Sequence, residues 1–101
     1  MPAPPFTLFY TPEFKTVLTR IQQDDPVKYR KILKTLKLLR DVGPSYPSLQ
    51  SHGYTSFTGP DGENVWESYV ENRTPSAWRV FWCYAADATD TIVMVSAGPH
   101  P

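Results

Sequence analysis

The sequence predicts an α+β fold: an N-terminal strand and an αα-hairpin packed on one face of a mainly antiparallel, four-stranded twisted sheet. Three observations carry this expectation. Two cap-then-proline signals, Thr11-Pro12 and Asp25-Pro26, each open a stretch with helical apolar spacing. Past Gly43-Pro44 the pattern changes to short alternating runs at residues 65–70, 78–85 and 91–97, separated by turn-forming residues. The order of one strand, two helices and a β-meander leaves the helices one face of a sheet to cover. With 101 residues the chain is read as a single domain, 1–101, long enough to bury a modest core.

Residues 6–10, FTLFY, read as a short aromatic strand. In the first helix Phe14, Val17, Leu18 and Ile21 share one face. In the second, Tyr29, Ile32, Leu33, Leu36 and Leu39 form the buried stripe, while Arg30, Lys34 and Lys37 line another side with Lys31 nearby. Gly43-Pro44 stops that helix. Residues 45–53 form a loop containing His52, and residues 54–57 a short strand. Gly59-Pro60-Asp61-Gly62 is a strong turn signal, and residues 72–76 and 87–90 are expected to be turns as well.

Composition narrows the function class. One cysteine, Cys83, excludes an intrachain disulfide and a cysteine-rich metal site, and fits a reducing compartment. No apolar run approaches the ~20 residues of a membrane span, and no signal pattern opens the chain, so a cytoplasmic protein without membrane contact is expected. No metal-ligand cluster, phosphate-cradling glycine loop or serine or cysteine nucleophile motif is present, and no cofactor is expected. The net charge of zero hides an asymmetry. Residues 1–41 carry eight basic and four acidic side chains, and residues 42–101 two basic and six acidic ones. The basic second helix reads either as a solvated face or as a nucleic-acid footprint.

Along residues 78–84, Trp78, Val80, Trp82 and Tyr84 point one way and Arg79, Phe81 and Cys83 the other. The bulky apolar set faces the helices. Glu67, Tyr69, Arg79 and Phe81 are then left on the open face. An arginine amid apolar residues needs an anion beside it. Two readings stay open: a cross-strand Glu67–Arg79 pair with no further role, or a site in which Arg79 meets a phosphate. His52 and His100 flank the meander, and imidazoles are the groups that acid–base catalysis favours near neutral pH.

The strand–helix–helix–meander order, the WESYV and WRVFW strands, the TIVMVSA strand and the His100 that follows it together resemble the RelE/ParE superfamily of type II toxin–antitoxin toxins. The HigB and YoeB types are nearest, and the resemblance spans nearly the whole chain. It implies a RelE-like fold and a metal-independent, ribosome-dependent endoribonuclease that cleaves mRNA and inhibits translation. It implies Arg79 as the phosphate clamp, His100 as general acid and His52 as general base, with Glu67 the alternative base. Arg73, Tyr69, Phe81, Lys31, Lys34 and Lys37 become RNA-binding candidates, the second helix facing ribosomal RNA. The implied partners are mRNA, the ribosome and a cognate antitoxin protein. The alternative class is a non-catalytic binding protein of the same fold, either gyrase-directed or reduced to binding its antitoxin.

Overall fold

The computed structural model describes residues 3–72 and 74–99. Strand β1 (Thr7–Tyr10) leads into helices α1 (Pro12–Asp24) and α2 (Pro26–Asp41). A short 3₁₀ turn at Pro47–Leu49 precedes strands β2 (His52–Thr58), β3 (Asn64–Tyr69), β4 (Trp78–Ala85) and β5 (Ala88–Pro99).

Both helices start where the cap-and-proline pairs place them. Thr11 Oγ1 accepts from the Phe14 N–H at 3.2 Å, and Asp25 Oδ1 from the Lys28 N–H at 3.1 Å. Thr11 also fastens α1 to the sheet, its N–H donating to Met94 O and its hydroxyl to Val95 O, each at 3.2 Å. At the far end of α2 the N–H groups of Val42 and Gly43 both donate to Leu38 O at 2.9 Å. Gly43 there adopts φ +108°, a conformation open to glycine.

Phe14 and Ile21 of α1 and Ile32, Leu36 and Leu39 of α2 meet Val80, Trp82, Ile92 and Met94 of β4 and β5 in one core. The apolar faces of the strands turn to the helices, as the alternation predicts. Leu33 does not join them. It is 41% exposed, because it lies ~100° around the helix from Ile32. Thr35 takes the buried place and donates its hydroxyl to Tyr69 O at 3.4 Å.

The sheet has five strands, in the order β1-β5-β4-β3-β2, rather than the expected four. The difference is β1, which pairs in parallel with β5 from Thr7 opposite Thr91 to Tyr10 opposite Met94. The other neighbours are antiparallel. β2 begins at His52, earlier than expected, because the ladder with β3 extends to His52 opposite Glu67. β5 begins at Ala88, so the last turn is shorter than the expected 87–90. The antiparallel register brings the starts of β2 and β4 and the ends of β3 and β5 to one end of the sheet, with Tyr69 opposite Arg79 and Arg79 opposite Gly98.

Candidate active site

At that end, on the face away from the helices, His52, Glu67, Tyr69 and Arg79 form one cluster. Its centre is the Glu67 carboxylate, whose side chain is 0% exposed. Oε1 lies 3.1 Å from Arg79 Nε, and Oε2 lies 3.6 Å from His52 Nε2. Arg79 Nη1 donates to the carbonyls of Glu71 (2.8 Å) and Trp78 (3.2 Å). The Tyr69 ring covers the guanidinium at 3.6 Å, a cation–π contact. Among the described residues Nη2 makes no hydrogen bond, and the Arg79 side chain is 8% exposed.

His52 is the accessible member, with 47% of its side chain exposed. Its Nδ1 lies 2.7 Å from Gln50 O. A carbonyl can only accept, so Nδ1 carries the proton and Nε2 is the atom left to take one. The edge of Tyr69 rests against the ring, 6.1 Å between centroids. Gln50 aims its carbonyl by adopting a left-handed conformation, φ 46° and ψ 43°.

The sequence-predicted residues therefore divide. The alternation correctly brings Glu67, Tyr69 and Arg79 together, and His52 joins them. The face is not open, however. Glu67 and Arg79 are buried, so Glu67 as alternative base has no path to a substrate hydroxyl. Phe81 is 3% exposed and packed against Tyr54 and Phe57 at 5.0 and 5.1 Å, so it offers no ring face for a base to stack on. The irregular β2 edge causes this: its register slips between Tyr54 and Thr58, and these aromatics close over β4. Arg73 and His100 lie outside the described residues.

The basic helix is partly committed to the protein itself. Lys31 Nζ lies 3.1 Å from Glu71 Oε2, and Lys28 Nζ 3.6 Å from Glu71 Oε1 and 4.8 Å from the Trp78 ring. Burial opposes ionisation of Glu71, but the Lys31 hydrogen bond, the Trp78 N–H and the two lysine charges outweigh it and hold its carboxyl below the usual range. Lys34 and Lys37 are exposed and make no ion pair among the described residues. Lys34 lines a cavity of about 330 Å³ between α2 and the end of β3. The sequence reading missed Glu71 and the Gln50 carbonyl. Neither carries a local signal, since each acts on a group brought to it by tertiary structure. Among the described residues no group of three or more His, Cys, Asp or Glu side chains is arranged to hold a metal ion.

No protein-family model matches the sequence, and no curated protein does. Solved structures do match. The chain is similar to a YoeB dimer from Staphylococcus aureus at 13% identity and TM-score 0.62, covering 96% of this chain and 99% of that one. It is similar to a YoeB/ParE toxin from Agrobacterium tumefaciens at 11% identity and TM-score 0.63, covering 94% and 99%. The DinJ-YafQ toxin-antitoxin complex of E. coli matches at 14% identity and TM-score 0.60, covering 95% and 93%. The chain shares the fold of these YoeB, YoeB/ParE and YafQ structures.

Proposed function

We propose that this protein is the toxin of a type II toxin–antitoxin pair, a metal-independent endoribonuclease that cleaves mRNA on the ribosome and so inhibits translation in the cytoplasm. One observation carries the reading. An exposed imidazole, its Nδ1 against the Gln50 carbonyl, and a guanidinium share one buried carboxylate. Cleavage of this kind uses the RNA's own 2′-hydroxyl. His52 Nε2 takes its proton, the oxygen attacks the adjacent phosphorus, and the 5′-oxygen leaves with a proton. The products are a 2′,3′-cyclic phosphate and a 5′-hydroxyl. Arg79, through Nη2, stabilises the charge that grows on the phosphoryl oxygens. Glu67 holds Arg79 and His52 in place and does not touch substrate. His100 is assigned the leaving-group proton on the sequence resemblance. Lys34 and Lys37 contact RNA phosphates, while Lys31 must first exchange its Glu71 partner. Tyr69 and Arg73 remain RNA-binding candidates.

Structures with this fold include toxin-antitoxin complexes, YoeB-YefM and DinJ-YafQ. A cognate antitoxin is the partner expected here, through a segment that orders on binding.

The test is primer extension on mRNA in a translating extract. The His52→Ala variant should melt like the parent, since the side chain is exposed, and lose about 10²-fold or more in cleavage rate. Wild-type cleavage by that folded variant overturns the base assignment. An absence of ribosome-dependent cleavage by the parent overturns the reaction. The burial of Arg79 and its pairing with Glu67 favour a second reading, a non-catalytic protein of the same fold. DNA-damage signalling with intact mRNA then identifies a gyrase-directed toxin. Harmless expression with retained antitoxin binding identifies a degenerate one.

A further inference from the structure

We infer that Ser68 and Ser51 are positioning residues for His52, the outer links of a hydrogen-bonded chain that starts at the core indole of Trp82. Trp82 Nε1 lies 2.7 Å from Ser68 Oγ, and Ser68 Oγ lies 2.7 Å from Ser51 Oγ. An indole N–H can only donate, so Ser68 accepts from Trp82. The Ser68 hydroxyl then shares a second hydrogen bond with the Ser51 hydroxyl, in which either can be the donor. Ser68 and Trp82 are both fully buried, so the chain is anchored where nothing moves cheaply.

The location gives the chain its purpose. The β2–β3 ladder ends at His52 opposite Glu67. Ser51 is the next residue outward, beyond the last ladder pair, and the same register sets it opposite Ser68. The hydroxyl bond therefore takes over where the ladder stops. It fixes the backbone between Gln50, whose carbonyl holds His52 Nδ1, and His52 itself. Side chains alternate, so Ser51 is held on the helix face while His52 stands on the site face. The tie acts from the His52 side, while the Gln50 N–H, bonded to Pro47 O at 3.1 Å, holds the Gln50 carbonyl from the other. The inference rests on the reading of His52 as the proton acceptor only for its effect on cleavage.

The test is ¹⁵N NMR of the His52 ring in the intact protein at neutral pH, assigned against His52→Gln, alongside single-turnover mRNA cleavage on translating ribosomes. The parent shows one tautomer with the proton on Nδ1. Ser51→Ala, a change at a partly buried strand end, keeps the fold and ribosome binding but loses the single tautomer. Its cleavage rate falls by up to about 100-fold. Ser51→Thr, which retains the hydroxyl, restores both, and Trp82→Phe, which removes the donor at the head of the chain, reproduces the Ser51→Ala ring signature. A folded Ser51→Ala variant with the parent's single tautomer overturns the inference. If the tautomer is lost while His52→Ala cleaves like the parent, the positioning role stands and the base assignment falls.

Discussion

Glu67 has no contact with solvent and sits between a guanidinium and an imidazole. A buried charge is tolerated only with its partners in place, and removing one strands the other. Glu67→Ala should therefore lower stability by about 3–5 kcal/mol, read as a fall in urea midpoint. Arg79→Ala should do the same, and the Glu67→Leu/Arg79→Leu double variant should recover much of the loss. Equal additive losses in that cycle would show that the pair is not coupled. For this reason Arg79→Ala alone is a poor probe of activity, and the exposed His52 is a better one. Cys83 is a second buried group with a clear expectation. Burial first, then the charges of Glu63 and Asp61, push its thiol up to about 11. Ellman's reagent at pH 8 should leave it unmodified in the folded protein and titrate it fully in urea. At this scale the pairing of Glu67 with Arg79 was legible, because strand alternation is a two-residue rule. Their burial was not, because it depends on the Tyr69 ring lying over Arg79 and on His52 lying beside Glu67, and neither placement has a signature in a single strand's pattern.

Among the elements, the Glu71 carboxylate ties α2 to the end of the sheet, beside the Thr35 bond to Tyr69. Glu71 gathers Lys28 and Lys31 and accepts from Trp78, while its carbonyl holds Arg79. Its carboxyl lies below the ordinary value, so the folded state binds this proton more weakly than the unfolded chain does. That contribution to stability is present above the ordinary carboxyl value and is lost as pH falls through the lowered one. Urea midpoints measured from pH 7 downward should fall in that acid range, and Glu71→Gln should flatten that part of the curve. The end of α2 gives a second expectation. A Cβ on Gly43 would stand 2.9 Å from Phe6 Cε1 at a φ of +108°. Gly43→Ala should cost about 1–2 kcal/mol, measured as a lower melting temperature. The starts of both helices were legible to the residue because their signals are local: Thr11, Asp25 and the prolines after them. β2 was drawn too short because its first residues are polar and glycine, and become strand only through pairing with β3.

For the whole molecule, the order of elements was enough to give the class of fold, since helices on one face of a meander have few alternatives. The place of β1 was not legible. Nothing in FTLFY states that its partner lies at Thr91–Met94, and only the assembled sheet decides it. The meeting of His52 with Arg79 was legible in outline, because antiparallel neighbours return to the same end. A fragment ending at residue 87, before β5, should lack a cooperative thermal transition by circular dichroism, because β1 loses the strand it pairs with and β4 loses one of its two neighbours.

That pairing also has a consequence for synthesis. Thr11 and Val95 are bonded across 84 positions of the chain, so a segment translated early waits for one translated late. Contacts this distant are made late. While the polypeptide is still being extended, the register that aligns β4 with β5 does not exist, and the Arg79 end of the sheet is unfinished. Until β5 has cleared the exit tunnel, Arg79 lacks the strand that pairs with β4 at Gly98.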